Sequence, residues 1–321
     1  MIPLLWIAGA AGVVGAGLAA FSAATARKAE AAIPPAGSFI DVNGDRIHYV
    51  DRGAGPPILL IHGLGAVLQS FAASLVDDLA RDHRVILIDR PGSGYSTRAT
   101  GASASLTAQA RTVAAFIDAL GLDKPLIVGH SLGGALALAV ALDHPDAVRA
   151  LALITPVTQP EDEPPPAFKA LAIYSPLVRG MVARTIAVPV ATWTAEQTLQ
   201  QVFHPDPVPP SFAIEGGGLL SARPDAFYAS SSDMVAIKED MPALAVRYGE
   251  LKLPVGILYA REDNLLDWRK HGERTAGEIA GAELELVDGG HMLPFTAPDL
   301  TARFIRKAAG EDKVEAGRAR G

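Results

Sequence analysis

A single serine hydroxyl interrupts an apolar stretch at Gly129-His130-Ser131-Leu132-Gly133, where a short strand-like run becomes helix-like. Glycine weakens strand and helix interiors, so glycines on both sides of a hydroxyl imply backbone that bends sharply or approaches something closely. A serine at a helix start could be a simple cap. In a strand–turn–helix setting, however, G-x-S-x-G is a nucleophile elbow, which exposes the hydroxyl on a tight turn. Such a serine is a poor nucleophile at neutral pH. It needs a basic partner, itself oriented by a carboxylate. The backbone N–H of Leu132, at the positive end of the following helix, could then hold the oxyanion of an attacked carbonyl.

Other chemistries find no residues to carry them. The chain has no cysteine, which excludes disulfides, thiolate zinc sites and a cysteine nucleophile. It has no H-E-x-x-H, no calcium loop and no clustered metal ligands, so neither a metal nor a cofactor is expected. Asp89-Arg90-Pro91-Gly92-Ser93-Gly94-Tyr95-Ser96 is rich in small residues but lacks the lysine of a phosphate cradle. A net charge of −7 argues against nucleic acid as a partner.

The elements that must position Ser131 alternate along the chain. Phe39–Val42 and Arg46–Asp51 flank Asn43-Gly44, a strong hairpin signal. Ile58–His62, Arg84–Ile88, Pro125–Val128 and Val148–Ile154 are short apolar runs of the kind found in buried strands. Helical patterns over Val67–Arg81, Leu106–Leu120 and from Ser131 to about Asp143 separate them. This rhythm implies a mostly parallel sheet with helices on both faces. It breaks over residues 157–253, a proline-punctuated stretch of irregular helix that reads as an insertion covering one end of the sheet. It returns with Val255–Tyr259, a helix near Asp267–Ala280, Glu283–Val287 and a last helix over Thr296–Ala309. The core is thus expected over 39–156 and 254–309, after a linker at 27–38 and before a polar, disordered tail at 310–321.

Residues 1–26 carry no charge and are followed by Arg27 and Lys28. As a helix they would measure roughly 39 Å, enough to cross a bilayer core of about 30 Å. The basic pair follows the apolar run instead of preceding it, which favours an uncleaved membrane anchor over a cleaved signal peptide. A membrane partner through this segment and an inner-membrane location in a bacterium are therefore expected. A periplasmic or secreted protein is the alternative if the segment is cleaved.

With its elbow in this context, the chain from Phe39 to Ala309 resembles the α/β-hydrolase superfamily, in its capped, lipase- and esterase-like branch. The resemblance implies that the base is His291, on the Gly289-Gly290 loop after the last strand. It implies an acid after the strand that follows the cap, which selects Asp263, with Glu262 and Asp267 as the other carboxylates there. The order Ser131, Asp263, His291 is that of this fold. A second oxyanion donor is implied at the N–H of Leu64, in His62-Gly63-Leu64-Gly65, and the Asp89–Ser96 loop is implied to be structural.

Relatives that displace halide or open epoxides carry aspartate at the elbow, whereas Ser131 suits acyl transfer. The implied function is hydrolysis of small lipophilic carboxylic esters. Hydrolysis of carbon–carbon bonds in diketones, a cofactor-free haloperoxidase or perhydrolase, and a non-catalytic binding protein are the alternatives. Phe168, Leu171, Ile173, Leu177, Val178, Met181, Phe203, Phe212 and Phe227 are the apolar residues expected near the mouth above Ser131.

Overall fold

The computed structural model describes residues 2–310, with side chains from residue 12 onward. Eight strands form one sheet: β1 (Ser38–Val42), β2 (Asp45–Gly53), β3 (Pro57–Ile61), β4 (Arg84–Ile88), β5 (Leu126–His130), β6 (Ala150–Ile154), β7 (Val255–Ala260) and β8 (Glu283–Val287). Their order is β1-β2-β4-β3-β5-β6-β7-β8. β1 and β2 form the Asn43-Gly44 hairpin, β2 pairs antiparallel with β4, and every other pairing is parallel.

Helices cover both faces. Leu59 and Ile61 of β3 pack into the layer holding α3 (Leu106–Ala119) and α4 (Leu132–Asp143), after α1 (Ile2–Ala32) and α2 (Ala73–Leu79) in the chain. Ile58 and Leu60 face the opposite layer with α2 and the C-terminal helix Pro298–Ala309. Successive side chains alternate faces, and burial on both sides explains the unbroken apolar runs of the central strands. Parallel register sets Ile61 beside Gly129, His130 beside Ile154, Ile154 beside Leu258, and Ala260 beside Val287. The loops leaving β3, β5, β6, β7 and β8 therefore emerge along one edge, where open parallel sheets build their sites.

Between β6 and β7 the chain forms short turns and three helices: α5 (Pro176–Val182), α6 (Val188–Phe203) and α7 (Pro224–Ala245). The 22-residue α7 is more regular than the expected irregular helix. Pro224 opens it, where a missing N–H is harmless. Its apolar spacing is masked by a buried polar run, Ser230 to Asp233. Those groups bond other side chains: Arg179 of α5 donates to Ser231 Oγ at 3.0 Å and Ser232 Oγ at 2.9 Å. After β7 come α8 (Arg274–Glu278), α9 (Leu293–Thr296) and α10 (Pro298–Ala309).

The N-terminus corrects the sequence reading. Among the described residues no helix is long and apolar enough to cross a membrane. The expected inner-membrane location is thereby overturned, and no described helix supports the anchor expected over 1–26 or the membrane partner. α1 continues through Ala32, across the first part of the stretch read as linker. Its C-terminal part, from Ser22 on, packs against the protein, while Val13 and Val14 are exposed. Ser22 Oγ donates to the Thr185 carbonyl at 3.1 Å, Glu30 pairs with Arg223 at 3.3 Å, and Ala29 and Ile33 are buried with Val67 and Leu220. The polar tail read at 310–321 lies, from residue 311 on, outside the described residues.

Candidate active site

Ser131 sits between β5 and α4 with φ 53° and ψ −120°. A non-glycine residue with positive φ is strained, and such strain persists only where surrounding structure enforces it. The Ser131 N–H donates to the Ile154 carbonyl at 3.1 Å, and its own carbonyl accepts from Gly134 at 2.9 Å and Val157 at 3.0 Å. The flanking glycines answer to crowding. A Cβ on Gly133 would lie 2.1 Å from the Ile61 carbonyl oxygen, and one on Gly129 would lie 2.5 Å from that of Gly133. Only glycine lets the start of α4 cross the end of β3 so closely.

His291 follows β8, and its Nδ1 lies 2.7 Å from Asp263 Oδ2, on the loop after β7. The Asp263 side chain is fully buried. Its other oxygen accepts from the N–H groups of Leu265 at 2.9 Å and Leu266 at 3.1 Å. A carboxylate so held keeps the proton on Nδ1 and leaves Nε2 as the acceptor of the ring. The other carboxylates are engaged elsewhere: Glu262 accepts from the Gly289 N–H at 2.7 Å, Asp267 from the Arg269 N–H at 3.0 Å, and Asp288 is exposed. The His291 carbonyl accepts from Thr155 Oγ1 and His130 Nε2, both at 3.0 Å. Burial, reinforced by the nearby His291, pushes the His130 ring down to about 3, so it is neutral at pH 7.

The loop after β3 closes on the serine. A Cβ on Gly63 would come within 2.9 Å of Ser131 Cβ and 3.4 Å of its Oγ. His62 is buried, and its ring is lowered to about 4 by burial and by the Arg90 guanidinium. Nδ1 donates to the Gly63 carbonyl at 2.8 Å, while Nε2 accepts from the Arg90 N–H at 3.0 Å. Asp89 shapes the neighbouring loop, accepting from the N–H groups of Leu68 and Tyr95, each at 2.8 Å, and from His48 Nδ1 at 2.7 Å.

These loops meet the insertion at a cleft of about 670 Å³, open mouth included, lined by Leu64, Ser131, Leu132 and His291 on the sheet side. Across from them stand Pro164, Pro165, Phe168, Met234, Ile237 and Met241, with Leu265 and Leu266 at one flank. Of the nine apolar residues expected at the mouth, only Phe168 lines the cleft. Leu177, Val178 and Met181 are exposed, and Phe203 and Phe212 are buried together against Met292. Sequence reasoning missed Met234, Ile237 and Met241. Their i, i+3, i+7 spacing is a helical stripe that was available to find them.

A nucleophile elbow, a carboxylate and a histidine, here after β5, β7 and β8 of such a sheet, are the arrangement of the α/β hydrolases. Residues 56–298 match the α/β hydrolase fold family, and the chain belongs to it. It is 37% identical over 115 residues to haloalkane dehalogenase 2 of Mycobacterium tuberculosis, covering 36% of this chain and 40% of that one. It is likewise 37% identical over 123 residues to a 2-hydroxymuconate semialdehyde hydrolase of Pseudomonas sp. strain CF600, covering 38% and 44%. The chain thus spans less than half the length of these curated relatives. A thermophilic esterase from Thermogutta terrifontis shares the fold with a TM-score of 0.69 at 22% identity, over 86% of this chain and 99% of that one.

Proposed function

We propose that this hydrolase cleaves carboxylic esters of small, uncharged, lipophilic substrates, with residues 157–253 serving as a cap over the site. The observation that carries the reading is the His291–Asp263 pair at 2.7 Å in the same cleft as the strained Ser131. In this reading His291 Nε2 takes the Ser131 proton as Oγ attacks the ester carbonyl, and Asp263 stabilises the resulting imidazolium. The N–H groups of Leu64 and Leu132 hold the oxyanion, each such donor lowering the barrier by about 3–4 kcal/mol. Collapse of the intermediate expels the alcohol, which takes the proton from His291. Water then loses a proton to His291 and attacks the acyl-Ser131 ester, releasing the acid and restoring the hydroxyl.

The cleft walls favour an ester over the other reactions of this family. Haloalkane chemistry through an alkylated carboxylate has no carboxylate at the elbow, where Ser131 stands. A dienoate substrate would bring a carboxylate, which needs a cation when buried. The cleft lining holds one cation, Lys238, exposed and donating to the Asp162 carbonyl at 3.1 Å. The buried guanidinium of Arg179 is bonded to Ser231, Ser232 and the Ile173 carbonyl. Apart from Gln159 and Glu161, the latter paired with Lys270 and His271, the remaining walls are apolar.

A fluorophosphonate probe should label Ser131, and p-nitrophenyl esters should be cleaved with kcat/KM rising over the first few acyl carbons and falling for long chains. A monotonic rise to the longest chains would indicate a lipase with an opening lid. Turnover of vinylogous diketones without turnover of any simple ester would replace the ester reading with carbon–carbon bond hydrolysis.

A further inference from the structure

Arg90 is fully buried, and its guanidinium joins three parts of the molecule. Nε donates to the His62 carbonyl at 3.0 Å and Nη2 to the Gly63 carbonyl at 3.1 Å. Nη1 donates to Asp233 Oδ2 at 2.7 Å and to Gln109 Oε1 at 3.2 Å. Asp233 lies on α7 of the insertion, also buried, where Arg98 Nη2 donates to its second oxygen at 2.8 Å. One side chain thus grips both carbonyls before Leu64 and the underside of the cap.

The geometry of the peptide bond gives this grip a consequence. In a trans peptide the carbonyl and the following N–H point in opposite directions. The Gly63 carbonyl is drawn inward by two donors, Arg90 Nη2 and His62 Nδ1. The N–H of Leu64 is therefore turned to the other side of the peptide, and Leu64 shares the cleft with Ser131. Rotation of that peptide would replace a donor with a carbonyl lone pair. An apolar pair of the same size could join the loop to α7 without loss of stability, but it could not hold two carbonyls in a fixed direction.

We propose that Arg90 is a positioning residue that sets the Gly63–Leu64 peptide for oxyanion binding, and that Asp233 makes this setting depend on the cap being seated. The proposal rests on the reading of the Leu64 N–H as an oxyanion donor. It differs from a purely structural role in what it changes. A structural ion pair would alter stability, whereas this one alters binding of the tetrahedral state relative to the ground state.

The test uses the full chain and two variants. Arg90→Met/Asp233→Leu removes both fully buried charges together; Arg98, the other partner of Asp233, reaches solvent in part and keeps its bond to the Pro91 carbonyl at 2.7 Å. Arg90→Lys keeps the charge opposite Asp233, but a single ammonium cannot reach both carbonyls and the carboxylate. Each is compared with the wild type on p-nitrophenyl butyrate and by titration with an alkylboronic acid, which forms a tetrahedral adduct on the serine. The expected result is a fall of about 10²–10³-fold in kcat, the range for loss of one oxyanion donor. The boronate should weaken by a similar factor and KM should change little. Variants that melt earlier yet keep wild-type kcat and boronate affinity would overturn the proposal, as would full rescue by lysine. A wild-type enzyme that neither turns over the ester nor reacts with fluorophosphonate would instead fail the ester reading, a result visible before any variant is made.

Discussion

The sheet side of the cleft and the side formed by the proposed cap, residues 157–253, are built on opposite plans. The sheet side is set mainly by backbone, with Arg90 reaching in to the His62 and Gly63 carbonyls. The strained turn at Ser131 is fixed by three main-chain hydrogen bonds, and the start of α4 fits against β3 only through glycine. Its polar side chains are short and bond groups beside them: Asp263 and Asp89 each hold three partners, while His291 and His62 serve the loops they stand on. The cap side is held by long side chains reaching across. Arg179 joins α5 to α7, Asp233 joins α7 to the loops below, and Arg223 joins α1 to the start of α7. Its outer helices leave Leu177, Met181 and Trp193 exposed. Backbone geometry fixes atoms to a few tenths of an ångström, as nucleophilic catalysis requires. Side-chain bridges tolerate substitution of whatever lies between them. In the ester-hydrolase reading proposed above, the constrained half carries the chemistry and the adaptable one the selection.

If that division holds, the largest effect should come from the smallest change on the sheet side. Ser131→Ala should lower ester turnover by roughly 10⁴–10⁶-fold while the thermal transition stays in place, because the catalytic residues act as a unit. Initial rates with p-nitrophenyl butyrate on purified, folded variant decide the matter. Substantial residual turnover would remove Ser131 from the mechanism. Asp263→Asn should follow at about 10⁴-fold, through the wrong tautomer of His291. Glu262→Gln and Asp267→Asn provide the contrast, since neither side chain contacts His291. A larger loss from Asp267→Asn would move the acid along the loop.

Changes on the cap side should redirect activity rather than abolish it. Ile237 lines the cleft from α7, so Ile237→Trp should shorten the space for the acyl arm. Each methylene well bound in an apolar pocket is worth about 1–3 kcal/mol. The ratio of kcat/KM for the hexanoate over the acetate ester should therefore fall by about tenfold or more. An unchanged ratio, with both esters slowed equally, would show that α7 does not contact the acyl chain and would weaken the assignment of selection to the cap.

The same division separates what was legible in the sequence from what was not. The strand at Ile58–Ile61, the helix at Leu106–Ala119 and the elbow at Gly129–Gly133 declare themselves through local patterns, since burial on both faces and glycine crowding act within a few residues. His291 and Asp263 were found through resemblance, and the structure brings the two within hydrogen-bonding distance. The helix expected over Val67–Arg81 starts late, at Ala73, because the chain before it is drawn into the site loops. There the Leu68 N–H is bound by Asp89, a partner 21 residues away. The cap resisted for the same reason. Whether Phe203 faces the cleft or Phe212 depends on how helices dock, which no local pattern records. At the N-terminus an uncharged run resembled an anchor, but Ser22 within it bonds the Thr185 carbonyl, and Glu30 just beyond it pairs with Arg223.

The smallest predicted effect concerns acid stability and again divides the halves. His62 and His130 are both fully buried on the sheet side, with rings lowered to about 4 and about 3 by burial. In the unfolded chain each would take up a proton near its ordinary value of 6.5. Between that value and the folded one, the unfolded state holds more protons than the native state, so stability falls as pH falls. The stabilisation is complete above pH 6.5 and is lost towards pH 4 for His62 and pH 3 for His130. Each pH unit within that window costs about 1.4 kcal/mol per histidine. At pH 5.5 the two together should lower stability by somewhat under about 3 kcal/mol, visible as a drop in Tm between pH 7.5 and 5.5. His130→Gln, which keeps a donor for the His291 carbonyl but cannot titrate, should remove about half of that drop. His204→Gln, a change in the cap, should leave it as it is. Equal drops in wild type and His130→Gln would place the acid sensitivity elsewhere, and an effect confined to His204→Gln would locate it in the cap.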